Sequence, residues 1–224
     1  MMKLLSAAWA IAYKDLKTES RTRELVGVML LFALMSVMIF SFALELDRLA
    51  RREAVSGVLW VTVVYASVLG LNRSMAQERE NGSIDALLVS PVPRAAVFWG
   101  KFASSFLFTM AIGLLLLPLM TILYNLTVLD PLVVVLLLVG TWGICVTGTV
   151  LSAMTVQARG GEALLPVALL PIVLPIIIGV VRATTGVLNG APADEWAGWI
   201  PVVLVIDVVY TVISAFAFSY IVEE

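Results

Sequence analysis

The chain has 224 residues, 61% of them hydrophobic and 13% charged, with a formal net charge of −2 and a mean hydropathy of +1.04. A soluble domain of this size has too little interior to hide that much apolar surface, and a near-neutral charge with no basic cluster gives nucleic-acid binding no electrostatic support. There is no histidine and a single cysteine, Cys145, so the commonest metal ligand and general base is missing and an intrachain disulfide is excluded.

Residues 3–23 open the chain with charged and apolar side chains in turn. Leu5, Ala8, Trp9, Ala12 and Leu16 recur at helical spacing, with Lys14, Lys17 and Arg21 elsewhere on the surface. This pattern predicts an amphipathic helix lying in the membrane interface, anchored at headgroup depth by Trp9 and the basic side chains. Lys3, a short apolar run and Ala10-Ile11-Ala12 also have the layout of a signal peptide, but the run is brief and a span follows at once.

Apolar runs of about 18 residues or more read as bilayer spans. Six occur: Leu25 to Leu44, Ala54 to Leu71, Phe102 to Tyr124, Leu132 to Thr155, Leu164 to Val181 and Trp199 to Val222. The prediction is an all-α polytopic membrane protein, one transmembrane helical unit over 1–224 with no residues left for a globular domain. Glu45 to Glu53 and Asn125 to Asp130 form short loops on one side, and Ala183 to Gly198 is the largest segment there.

Three spans carry unusual residues. The fourth is rich in small ones, Gly140, Gly143, Gly148, Ser152 and Ala153, which let membrane helices approach closely. The fifth holds Pro166, Pro171 and Pro175; each frees a backbone carbonyl, and their density predicts a kinked or hinged helix. The sixth holds Asp207 about eight residues in from Trp199, where an ionisable group costs about 2.5–3.5 kcal/mol. Asp207 is expected to face a subunit contact or a water-filled cavity, or to sit protonated beside Tyr210 or Thr211.

Placing the amino terminus, the 72–101 loop and the 156–163 loop on one side gives that side ten of the fourteen Lys and Arg residues: Lys3, Lys14, Lys17, Arg21, Arg23, Arg73, Arg79, Arg94, Lys101 and Arg159. The other side has Arg48, Arg51, Arg52 and Arg182. The positive-inside rule then puts both termini and the long loop in the cytoplasm.

Within that loop, Gln77 to Pro93 has the layout of a docking device. Gly82 can turn the chain out of the preceding helix, Ser83 can cap a new one, and Asp85 falls in its first turn, where the helix dipole favours negative charge. Ile84, Leu87 and Leu88 share one face, and Pro91 and Pro93 end the helix after about two turns. A helix that short is unstable alone in water, so the spacing predicts a groove on a soluble partner that receives it. The chain has no G-x-x-x-x-G-K-[ST] with which to cradle ATP phosphates, and no HExxH or GxSxG. It reads as a non-catalytic membrane subunit driven from outside.

The pattern Glu78-x-Glu80-x-Gly82-Ser83-Ile84-x-Ala86-Leu87-Leu88-x-Ser90-Pro91, with Gly100-Lys101 opening the next span, resembles the cytoplasmic loop of type-2 ABC transporter permeases. Arg159-Gly160-Gly161-x-x-Leu164-Leu165-Pro166-x-x-Leu169-Leu170-Pro171-x-x-x-Pro175 is similar to the fourth loop and fifth span of the CcmB family. Lys14-Asp15-Leu16-Lys17, Arg23-Glu24-Leu25 and the run from Leu30 to Phe42 fit as well, so the resemblance covers essentially the whole chain. It implies a permease subunit of an ABC transporter for cytochrome c maturation in the inner membrane. Two such permeases would assemble with two CcmA-like ATPases and with a CcmC-like haem-handling membrane protein. ATP would bind the ATPase, with haem as cargo or released on its chaperone CcmE, and no cofactor would be bound by this chain itself.

The matched positions Glu78, Glu80, Gly82, Ser83, Ile84, Leu87, Leu88 and Pro91, together with Arg79 and Asp85 of the same segment, are the expected ATPase-coupling residues. Arg159, Gly160, Gly161, Pro166, Pro171 and Pro175 become the cytoplasmic loop and hinge, and Asp207 is the intramembrane polar group by its depth in the sixth span. A type-2 permease exporting a drug or polysaccharide, and a non-transporting membrane scaffold, are the rival expectations.

Overall fold

Apolar runs of this length must satisfy every backbone N–H and C=O internally, which confines them to helices. The computed structural model describes residues 2–43, 48–80, 93–156 and 161–221. Its helices are α1 (Met2–Thr22), α2 (Glu24–Ala43), α3 (Arg48–Glu80), α4 (Arg94–Tyr124), α5 (Pro131–Val156), α6 (Gly161–Leu188), the single turn α7 (Ala193–Trp196) and α8 (Trp199–Ile221). Among the described residues six helices are long and apolar enough to cross a bilayer, matching the six predicted spans.

The core lies around α3 and α5. In each, 72% of the apolar window is buried, against 17% in α8, which packs on the outside. Trp60 at the centre of α3 is fully buried and donates its indole N–H to Thr184 Oγ1 on α6 at 2.9 Å. Its ring fits because Gly140 on α5 has no Cβ; one built there would run into the Trp60 ring. The small residues of α5 thus do the work their spacing predicts: Gly140 receives Trp60, Gly143 receives Asp207 and Ile176, and Gly148 receives Leu71. On α2, Leu25, Met29, Ala33 and Val37 form a buried stripe every fourth residue, and Gly70 of α3 lies 2.6 Å (measured from an ideal Cβ) from the Met29 sulfur.

The spans alternate in direction, so one end of the bundle gathers α1, the end of α3, the start of α4 and the end of α8. Cross-links at that end include the Arg73–Glu24 ion pair and a Phe98–Phe218 ring contact at 5.4 Å. The opposite end is closed by Tyr124, whose hydroxyl donates to the Val37 carbonyl at 3.2 Å, and by a Ser56–Thr185 hydroxyl contact.

Three boundaries differ from the sequence reading. The second span does not end at Leu71 but continues as helix to Glu80, and α4 begins at Arg94, so Gly100 and Lys101 sit inside a helix. Both are buried, because α1 covers them. The fifth span runs past Val181 to Leu188, since Thr184 and Thr185 reach hydroxyl and indole partners on α3. The large segment expected over Ala183 to Gly198 therefore shrinks to a turn at Asn189-Gly190, with Gly190 at φ 65°, and α7, whose Trp196 packs on Gly186.

Candidate functional site

The docking segment itself, with Gly82, Ser83, Ile84, Asp85, Leu87, Leu88 and Pro91, lies outside the described residues, as do Arg159 and Gly160. Glu78, Arg79 and Glu80 form the last turn of α3, and Gly161 is the first residue of α6. The structure displays the frame on either side of it, at the end of α3 and the start of α4.

The frame is built around α1. Ala8 and Ala12 are small enough for close approach, and Gly100 on α4 meets the Ala8 carbonyl oxygen at 2.9 Å and Ile11 Cβ at 2.7 Å from an ideal Cβ. One turn further along α1, Asp15 accepts hydrogen bonds from Lys101 Nζ at 2.8 Å and from Ser104 Oγ at 3.1 Å. The Lys101 side chain is 4% exposed and Asp15 13%. An ammonium this buried needs a charged partner to offset its lost hydration, and Asp15 is that partner. A further turn on, buried Glu19 accepts the backbone N–H of Val26 at 2.8 Å, capping the first turn of α2 with a negative charge at the favourable end of its dipole. Arg23 alone separates α1 from α2; it adopts φ 55° and its N–H bonds the Glu19 carbonyl at 2.8 Å. Leu5, Trp9 and Tyr13 face outward from α1, more than half exposed, which suits the interfacial placement predicted for this helix.

The sequence reading counted Lys101 with the charges of the 72–101 loop, at the opening of the third span, and gave Asp15 no role of its own. The signal was present: Ala8, Ala12, Asp15 and Glu19 recur at i, i+4, i+7 and i+11, which is one helix face carrying two acids inward. A lysine one residue before a long apolar run can equally be a boundary charge, so its burial was not legible without the partner helix.

In α6, Pro166, Pro171 and Pro175 all lie within one helix, with Pro171 and Pro175 exposed. Pro175 leaves the Pro171 carbonyl without its helical donor, and one residue on, the Ile172 carbonyl accepts the Tyr210 hydroxyl of α8 at 2.7 Å. The proline-rich helix is thereby tied to the outermost span.

Asp207 is 96% shielded (4% exposed) on α8, pressed against Gly143. Tyr210 and Thr211 are not its partners: Tyr210 turns to Ile172, and Thr211 donates to the Asp207 backbone carbonyl at 2.6 Å. No donor among the described residues reaches Asp207 Oδ1. Beside it is a cavity of about 490 Å³ between α4, α5 and α8. Among the described residues no three His, Cys, Asp or Glu side chains converge as a metal site.

The model of the CcmB protein family matches residues 6–224 of this chain. Heme exporter protein B of Rhodobacter capsulatus is 32% identical over 170 residues, covering 75% of this chain and 78% of that protein. The protein of the same name from Bradyrhizobium diazoefficiens is 30% identical over 192 residues, covering 83% and 84%. That from Pseudomonas aeruginosa is 27% identical over 181 residues, covering 80% and 81%.

Proposed function

The chain belongs to the CcmB protein family, and from that premise we propose that it is the permease subunit of a haem-exporting ABC-type complex for cytochrome c maturation. In this reading it sits in the inner membrane with both termini in the cytoplasm, forms a homodimer, and is worked by a CcmA-like ATPase beside a CcmC-like haem-handling subunit. The family match across residues 6–224 carries the proposal. The six spans and the clustering of α1, the end of α3 and the start of α4 at one end of the bundle support it.

ATP closes the partner dimer, and the Ser83–Val89 segment rides in a groove on its surface through Ile84, Leu87 and Leu88. Displacement enters α3 through Glu78, Arg79 and Glu80 and enters α4 through Arg94. Because Lys101 and Ser104 hold Asp15, α1 moves with α4 and carries Glu19 and the start of α2 with it. Such a change is driven only by a ligand that binds one state better than the other, and ATP on the ATPase supplies that difference. With no histidine in the chain, imidazole ligation of haem iron falls to other subunits. This subunit transmits motion, and haem is cargo.

The test is reconstitution of the full-length chain with the CcmA-like ATPase and the CcmC-like subunit in lipid nanodiscs. The wild-type chain should stimulate ATP hydrolysis and support haem release, and Leu88→Asp should lose both while still assembling into the membrane. Stimulation and release at wild-type rates by Leu88→Asp would overturn the assignment of the docking face. A chain that neither binds nor stimulates the ATPase would overturn the permease reading.

A further inference from the structure

Residues 2–23 contain two acids, Asp15 and Glu19, and the fold turns both inward: Asp15 meets Lys101 and Ser104 on α4, and Glu19 meets the Val26 N–H. The exposed residues of α1 therefore include cations and no acid. Lys14, Lys17 and Arg21 are exposed, as is Arg23 at the elbow. Lys14 leans back to within 3.6 Å of Asp15, but among the described residues no carboxylate pairs with Lys17, Arg21 or Arg23. The helix thus has three stripes. Ala8, Ala12, Asp15 and Glu19 face the bundle. Leu5, Trp9 and Tyr13, at i, i+4 and i+8, form a second stripe, apolar and more than half exposed. Lys14, Lys17 and Arg21, at i, i+3 and i+7, form the third. The second and third join where Lys17 Nζ lies over the Tyr13 ring, 5.9 Å from its centroid.

An apolar stripe beside a cationic one suits a surface that passes from hydrocarbon to anion within the width of one helix, and the headgroup layer of a bilayer is such a surface. The depth of α1 is fixed from within the chain. Only Arg23 separates it from α2, whose apolar run begins at Leu25, so α1 lies where the first span leaves the hydrocarbon. Zwitterionic headgroups would leave Lys17 and Arg21 facing no net charge. We propose that the outer face of α1 is a binding site for anionic phospholipid. Leu5, Trp9 and Tyr13 rest against the glycerol and upper acyl chain, and Lys17 and Arg21, one turn apart, take the phosphates. A soluble acidic protein would match the cations but would have to displace lipid from Trp9 and Tyr13. The inference requires only that the chain spans a bilayer, and it stands apart from the ATPase-driven reading above.

The test uses the full-length chain with its partner subunits in nanodiscs of phosphatidylcholine holding a minor fraction of phosphatidylglycerol. Tyr13→p-benzoylphenylalanine, which keeps a ring beneath Lys17, is irradiated and its adducts are identified by mass spectrometry. Ile122→p-benzoylphenylalanine, exposed at the opposite end of the bundle, is the control. Phosphatidylglycerol should be enriched among the adducts at position 13 over its share of the lipid, roughly fivefold for each cation that meets a headgroup, and should follow its share at position 122. Lys17→Gln with Arg21→Gln should return position 13 to that share, and Lys17→Arg with Arg21→Lys should keep the enrichment. Adducts at position 13 in proportion to the mixture, adducts there mainly to protein, or no lipid adduct at all would each overturn the proposal. So would equal enrichment at position 122, or enrichment that survives Lys17→Gln with Arg21→Gln. The enrichment is first read with both cations intact, so it decides the matter even where a charge variant fails to accumulate.

Discussion

Gly143 and Asp207 face each other across α5 and α8 so closely that the carboxylate oxygen Oδ1 occupies the space a Cβ on the glycine would need. The glycine is therefore a steric condition for the position of the acid. Gly143→Ala should destabilise the chain by about 1–3 kcal/mol, the scale of overpacking in a tight core. Gly143→Ala combined with Asp207→Ala should recover most of that loss. Unfolding in mixed micelles followed by tryptophan fluorescence measures both, and a double variant no more stable than Gly143→Ala would show that the two residues do not compete for this space.

The Lys101–Asp15 pair gives a second prediction. Removing one partner leaves a buried charge alone, so Lys101→Met or Asp15→Leu should each cost about 3–5 kcal/mol, whereas the double variant should cost much less. The same unfolding assay reads the cycle. Equal and additive losses would mean the charges are not coupled.

Trp60→Phe deletes the N–H that Thr184 receives while keeping an aromatic ring beside Gly140. A loss of about 1–3 kcal/mol is expected, because buried Thr184 Oγ1 loses its donor. Thr184→Val in that background should add little further, and a full additional loss would mean the hydroxyl has another essential partner.

Glu19→Ala should loosen the start of α2, at about 1 kcal/mol for a lost N-terminal cap. Amide exchange at Val26 is the direct reading: faster exchange is expected there than at Leu30, and an unchanged Val26 rate would remove Glu19 from the capping role.

The orientation is tested by chemistry alone. In a Cys145→Ala background, Ser83→Cys should react with an impermeant maleimide in inside-out vesicles and not in right-side-out ones. The reverse pattern would place the docking segment on the outside and remove the ATPase from its reach.

The number of spans and the packing role of the α5 glycines were legible in the sequence because both follow from local pattern: length of apolar run, and absence of a side chain. The ends of the helices were harder. Residues 72–80 are polar enough to read as loop, yet their helix continues because nothing in Asn72 to Glu80 breaks it, with no proline or glycine before Gly82. Ala183 to Leu188 looked like a connection because Thr184, Thr185 and Gly186 lower its hydropathy. Those residues meet Trp60, Ser56 and Trp196, partners distant in sequence. Asp207 was visible as an anomaly from composition, but its neighbour was not. The guess of Tyr210 or Thr211 followed helix spacing, and the structure gives both hydroxyls to backbone carbonyls instead.

The lone left-handed residue between α1 and α2 makes an elbow without slack. Thr22 ends one helix and Glu24 starts the next, and the Arg23 N–H and the Glu19 carboxylate brace the corner from inside. The surface-lying arm and the first crossing segment are thus two limbs of one bent lever, so a tilt of either in the bilayer swings the other through it. Extra residues inserted at Arg23 would turn that lever into a tether.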